Sequence, residues 1–147
     1  MLEHFAALRD MLSSSGLTLD NFEHCRHALE SLEDIYKNIK YWAEVSRLQT
    51  GQVWRWATVV SIEYVRLIAA RAPPALIILA HFAAVTSSMQ SRTWFVDRWG
   101  EYCLAGIGRE MPPEMKHWLE WPAFHATNHM QILGVQAVDT PNSASSR

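Results

Sequence analysis

The chain has 147 residues, 49% apolar and 19% charged, which suits one domain with a sizeable core and excludes a disordered chain. A net charge of −2 supplies no basic excess to neutralise phosphates, so direct nucleic-acid binding is not expected. The two cysteines, Cys25 and Cys103, fit buried thiols in a reducing compartment, and a cytoplasmic or nuclear location is expected.

Residues 2–12 place Leu2, Phe5, Leu8 and Leu12 at helical spacing, and SSSG with Gly16 should end that helix. The opening MLEHFAALRD carries Glu3 and Asp10 and no long apolar stretch, so neither a secretory signal nor a transit peptide is expected. A second helix should start near Asp20, as cap, with Glu23 three residues on. Phe22, Cys25, Leu29, Leu32, Tyr36 and Ile39 mark its buried side, running to about Ser46. On its polar side Glu30 and Asp34 form a like-charge pair, and Glu33 and Lys37 a favourable one.

Gly51 breaks the pattern, and WRWATVV reads as a short helix or loop. SIEYVRLIAAR reads as a helix capped by Ser61 and punctuated by Pro73 and Pro74. PPALIILAHFAAV follows, with Pro74 at the first helical position and an end near Met89. It is too short to span a membrane, which needs about 20 apolar residues, so a buried core helix and no membrane span are expected. RTWFVDRWGEYCLAGIG reads as another helix, with Phe95, Trp99, Tyr102 and Cys103 on one side. EMPPEMKHWLEW reads as a turn and a short helix stopped by Pro122, with Trp118 and Trp121 as anchors. The expected fold is all-α: a compact irregular bundle of about six helices with a hydrophobic pocket. Residues 1–138 form one domain, and residues 139–147 a polar tail with no reason to fold.

His81 is the informative polar residue, a lone imidazole in an apolar helix. It either bonds a core carbonyl or carboxylate, or lines a pocket as a binding or basic group. HCRH, residues 24–27, puts two histidines on one helix side, but a zinc site needs three or four ligands, so no metal is expected. No nucleotide-binding or hydrolase signature occurs, and no cofactor is expected.

Several segments in order resemble one family. PPALIILAHFAAV is similar to the "rP-x-ALvlLAHya" helix in the C-terminal regulatory domain of fungal binuclear zinc-cluster transcription factors of the sterol-uptake-regulator type. TWFVDRWGEYCL resembles the following "WWl-x-GW" helix, and MKHWLEWP the closing "W-x-x-WiEWP". HALESLEDIY and VWRWATVVSIEYVRLIAARAP resemble weaker upstream segments, so the likeness covers residues 22–123. The matched positions are Pro74, Ala75, Leu76 and Leu79 to Phe82 on one helix, Trp94 and Trp99 on the next, and Trp118 with Glu120 to Pro122 at the end. Phe95 replaces the second Trp of "WW", and Arg98 the Gly before Trp99. The DNA-binding Zn₂Cys₆ cluster needs six cysteines, so the chain reads as the ligand-binding end alone. The resemblance implies an all-helical fold, a hydrophobic ligand pocket and a homodimer.

Two functions remain open. One is a cofactor-free enzyme of fungal secondary metabolism that cyclises a hydrophobic polyketide-type substrate, as in lactonisation to an α-pyrone. There a base removes an enol proton, the enol oxygen attacks the acyl carbon, and a donor steadies the oxyanion. His81 is the candidate base, Asp34, Glu63 and Asp97 the candidate carboxylates, and Tyr36, Tyr64 and Arg92 the candidate donors, with Trp94, Phe95 and Trp99 walling the pocket. The other is a non-catalytic small-molecule-binding or dimerisation module that modulates a transcription regulator.

Overall fold

A computed structural model describes residues 2–44, 50–88 and 94–127. Among them are seven α-helices and one 3₁₀ helix, and no strand. The helices are α1 (Leu2–Ser13), α2 (Leu19–Glu44), α3 (Thr50–Val59), α4 (Ile62–Ala69), α5 (Pro73–Ser88), α6 (Trp94–Glu110) and α7 (Glu120–Thr127). The 3₁₀ helix, Pro113–Leu119, leads into α7. The all-α expectation holds, with one or two more elements than the six the periodicity separates. Residues 139–147 lie outside the described residues.

α5 is the hub. It is apolar around its whole circumference, the pattern of a helix enclosed on all sides. α2, α3, α4, α6, α7 and the 3₁₀ helix all pack on it. Ile77, Ile78, Ala80, Ala83, Ala84 and Val85 have no exposed surface. Its alanines let neighbouring helices come close, and its isoleucines fill the space between them. Ala72 precedes the helix and accepts from the Leu76 amide at 3.0 Å, so Pro73, not Pro74, takes the first helical position. Both prolines fall where a missing N–H costs nothing.

α1 docks on α2 through Phe5, Leu8 and Leu12, which meet Cys25, Leu29, Leu32 and Tyr36 in one buried cluster. Arg9 adds an ion pair to the nearly sealed Glu33 carboxylate, and Lys37 stands 3.8 Å from its other oxygen. The expected like-charge stress at Glu30 is relieved by Arg26, which reaches Glu30 at 2.8 Å and also pairs with Glu23. Asp20 lies inside the first turn of α2. The cap is Thr18, whose hydroxyl accepts from the Asn21 amide at 3.3 Å and whose carbonyl accepts from Phe22 at 2.8 Å. Thr–Leu–Asp offers two capping residues, and the earlier one is used.

Residues 50–59 are helical, which resolves WRWATVV as helix. Trp56 points inward, donating to the Ala28 carbonyl at 2.8 Å, lying on Phe82 and presenting an edge to Tyr64. Ser61 caps α4 as expected, accepting from the Tyr64 amide at 3.1 Å. On α6, Trp99 and Cys103 pack inward with Ile107, whereas Tyr102 is 65% exposed. The Trp99–Cys103–Ile107 row runs at four-residue steps, and Tyr102 falls off its flank. Pro122 does not stop the last helix. It sits in the first turn of α7, where its absent N–H has no intrahelical acceptor to lose. No single helix among the described residues is long and apolar enough to cross a membrane. α4 and α5 reach that threshold only as a pair bent by 104°.

The bend has an identifiable origin. The Ala72 amide bonds the Leu67 carbonyl at 3.0 Å and the Arg71 amide bonds Ile68 at 2.9 Å, the two bonds of a Schellman motif. Its left-handed position holds Arg71 at φ 60°, where glycine is the unstrained residue. The Arg71–Glu110 ion pair is exposed on both sides and offsets little of that strain. Arg71→Gly is therefore expected to raise stability by about 0.5–1 kcal/mol in urea denaturation, with unchanged helical circular dichroism.

Candidate functional site

The middle of α5 carries His81, and its side chain is completely buried. Its Nδ1 lies 2.7 Å from the Ile77 carbonyl one turn earlier. A carbonyl only accepts, so Nδ1 carries the hydrogen and donates it. Its Nε2 lies 2.7 Å from Nε2 of His4 on α1. With Nδ1 protonated, the neutral His81 ring offers a lone pair at Nε2, and His4 donates from its own Nε2–H. One tautomer of each ring satisfies both bonds, assigned from the acceptor at Ile77.

The rings are held as a unit. The two imidazole centroids are 4.8 Å apart and their planes differ by 29°. The indole of Trp121, from α7, lies nearly parallel to both, 16° from His4 at 4.9 Å and 13° from His81 at 5.3 Å. Trp118 tilts toward His4 at 6.4 Å. The cluster thus ties α1 and α7 to α5. Trp121 acts as the anchor that its sequence context suggests, and it anchors on the histidine pair.

The arrangement can hold and pass a proton. If His4 gains one at Nδ1, its Nε2–H proton can move along the 2.7 Å contact to His81. His4 is half-buried, so it stands between the sealed His81 and the outside. The N–N line accommodates one extra proton. Two imidazolium rings would set N–H against N–H.

His4 was absent from the residues that the sequence singles out. The signal is present in hindsight: His4, Leu8 and Met11 recur at four and three, and Leu8 and Met11 are buried beside it. His81 has described contacts with Ile77, His4 and Trp121. Asp34 is exposed on α2 and Glu63 is exposed in the first turn of α4. Tyr36 is buried with its ring 6.0 Å from Phe5. Tyr64 is fully buried and its hydroxyl donates to the Ala75 carbonyl at 2.8 Å, so that donor is already committed to joining α4 and α5. Trp99 is half-buried and meets Phe82 edge-on at 5.8 Å. Arg92 lies outside the described residues, as do the side chains of Asp97, Trp94 and Phe95.

The two histidines of HCRH part company. His24 Nδ1 is 3.2 Å from the Ser61 hydroxyl, and His27 is exposed. Among the described residues no three His, Cys, Asp or Glu side chains converge as a metal-ligand set. A groove of about 520 Å³ opens between α4 and α6, lined by both apolar and charged side chains. Comparison with family models, curated proteins and solved structures finds no match to the chain.

The core thiols and phenol make a pH test available. Burial pushes the Cys25 thiol up to about 11 and the Cys103 thiol likewise to about 11, and the Tyr64 phenol well above its usual value. The folded state keeps protons that the unfolded chain begins to release near the ordinary thiol value of 9.0. Stability should be fully present below that pH and fall as pH rises toward 11. Cys25→Ala should flatten this alkaline loss by about 1–2 kcal/mol, read from urea midpoints at pH 8 and pH 10.5.

Proposed function

We propose that the chain is a non-catalytic regulatory domain, of the ligand-binding or dimerising kind found at the C-terminus of fungal zinc-cluster regulators, which its motifs resemble. The observation that carries this reading is the engagement of His81. The residue at the centre of the family-like helix has no exposed surface, and both its ring nitrogens make bonds inside the fold. A general base needs a lone pair within reach of a substrate proton. The Tyr64 hydroxyl and the Trp56 N–H are spent in the same way, on backbone carbonyls of neighbouring helices. The polar atoms within the core thus serve to fix helix against helix. In this reading the chain modulates a transcription regulator by pairing with it, and also forms a homodimer.

One observation favours a second reading, a cofactor-free acid–base enzyme that cyclises a hydrophobic polyketide-type substrate. The half-buried His4 is backed by His81 at 2.7 Å, an arrangement that orients one imidazole and accepts its displaced proton. In that case His4 replaces His81 as the base at the substrate. His81 becomes the group that stores the proton, and neither Asp34 nor Glu63 has a described contact with the pair.

A two-armed experiment separates them. Purified protein is mixed with a full-length zinc-cluster regulator and examined for a stoichiometric complex by size-exclusion chromatography. In parallel it is incubated with 3,5-dioxo acyl thioesters and ring closure is followed by absorbance and mass. The regulatory reading predicts a complex and a cyclisation rate equal to buffer. Cyclisation at least a hundredfold above buffer, lost in His4→Gln, would establish the enzyme instead.

A further inference from the structure

The groove between α4 and α6 is separate from the histidine cluster, and its chemistry is different. Its lining mixes polar groups with three apolar side chains, Ile68, Cys103 and Ile107. Its rim carries two guanidinium groups, Arg71 and Arg109, and the exposed ring of Tyr102. A volume of about 520 Å³ falls within the range of small-molecule sites.

The two arginines differ in their commitments. Arg71 is paired with Glu110. Arg109 has no hydrogen-bond or ion-pair partner among the described residues. The Arg109 side chain is exposed, and its Nη2 lies 3.7 Å from where a Cβ on Gly106 would stand. The guanidinium is therefore folded back over Gly106, one turn earlier on α6, and stands over the groove. A cation next to the side chains of Ile68, Cys103 and Ile107 suits a ligand with an anionic head and a short apolar tail.

We propose that this groove binds a small aliphatic carboxylate, with Arg109 taking the carboxylate and Ile68, Cys103 and Ile107 bedding the chain. Guanidinium and carboxylate pair through two parallel N–H···O bonds, which favours a planar carboxylate head. Glu110 opposes the ligand in two ways: it repels the incoming carboxylate and holds Arg71. Binding here goes beyond the regulatory reading and stands whether or not the chain pairs with a regulator.

Cys103 provides the readout, since it lines the groove and is half-buried while Cys25 is sealed in the core. The full chain is treated with a maleimide, and modification of Cys103 is followed by mass spectrometry with decanoate or decanol added. Decanoate should slow Cys103 labelling saturably, and decanol should give at least tenfold weaker protection. Arg109→Gln should weaken decanoate protection about tenfold, the loss of one charge-assisted hydrogen bond. Glu110→Gln should strengthen it by removing the repelling charge. Equal protection by decanol and decanoate would overturn the proposal. So would an unchanged decanoate midpoint in Arg109→Gln, or no protection at the solubility limit.

Discussion

An imidazole cannot be buried on its own terms. It has two nitrogens, one a donor and one an acceptor when neutral, and each must meet a partner or cost free energy. α5 places His81 where every neighbouring surface is protein, and much of the bundle's arrangement follows from meeting that requirement. The donor is satisfied within the helix, by the Ile77 carbonyl one turn back. The acceptor has to be satisfied from elsewhere, and α1 supplies His4. Trp121 from α7 then covers both rings with a parallel indole. One polar side chain thereby fixes the approach of two helices from opposite ends of the described chain.

The neighbouring residue does the complementary work with apolar contacts. Phe82 lies against Trp56 of α3 and Trp99 of α6, at ring separations of 4.4 and 5.8 Å. Trp56 in turn bonds α2 through the Ala28 carbonyl, and Tyr64 bonds α5 through the Ala75 carbonyl. Adjacent residues on a helix point about 100° apart, so His81 and Phe82 address different sets of neighbours. The histidine side holds α1 and α7, and the phenylalanine side holds α3 and α6. Large amphipathic rings suit this task, because each buries much apolar area while its one polar atom ties off a backbone carbonyl. The polar atoms of Trp56, Tyr64 and His81 are thereby engaged in bonds within the core.

The helices were legible because their buried positions recur at three and four, as in Phe5–Leu8–Leu12 and Cys25–Leu29–Leu32. Caps were legible where one candidate stood alone, as Ser61 did, and not where Thr18 and Asp20 competed two residues apart. Pro122 misled because a proline forbids only an amide bond that the first helical turn does not make. The site was less legible than the fold. His81 stood out by its apolar surroundings, but its partner is 77 residues away and sits in a sequence context that looks ordinary. Periodicity ranks positions by burial and is silent on which two buried polar atoms meet. Tyr64 shows the same limit: its sequence position offers a hydroxyl, and only the packing of α4 on α5 shows that the hydroxyl is already bonded.

His81 is a core histidine with a fixed tautomer, donating from Nδ1 and accepting at Nε2. Nitrogen-15 NMR of the full chain labelled at histidine tests it most directly, since protonated and unprotonated ring nitrogens resonate far apart. His81 should appear as the Nδ1–H tautomer, with a coupling across the Nε2–Nε2 hydrogen bond to His4. An Nε2–H tautomer of His81, or a ring whose two nitrogens average through rapid exchange with solvent, would contradict it.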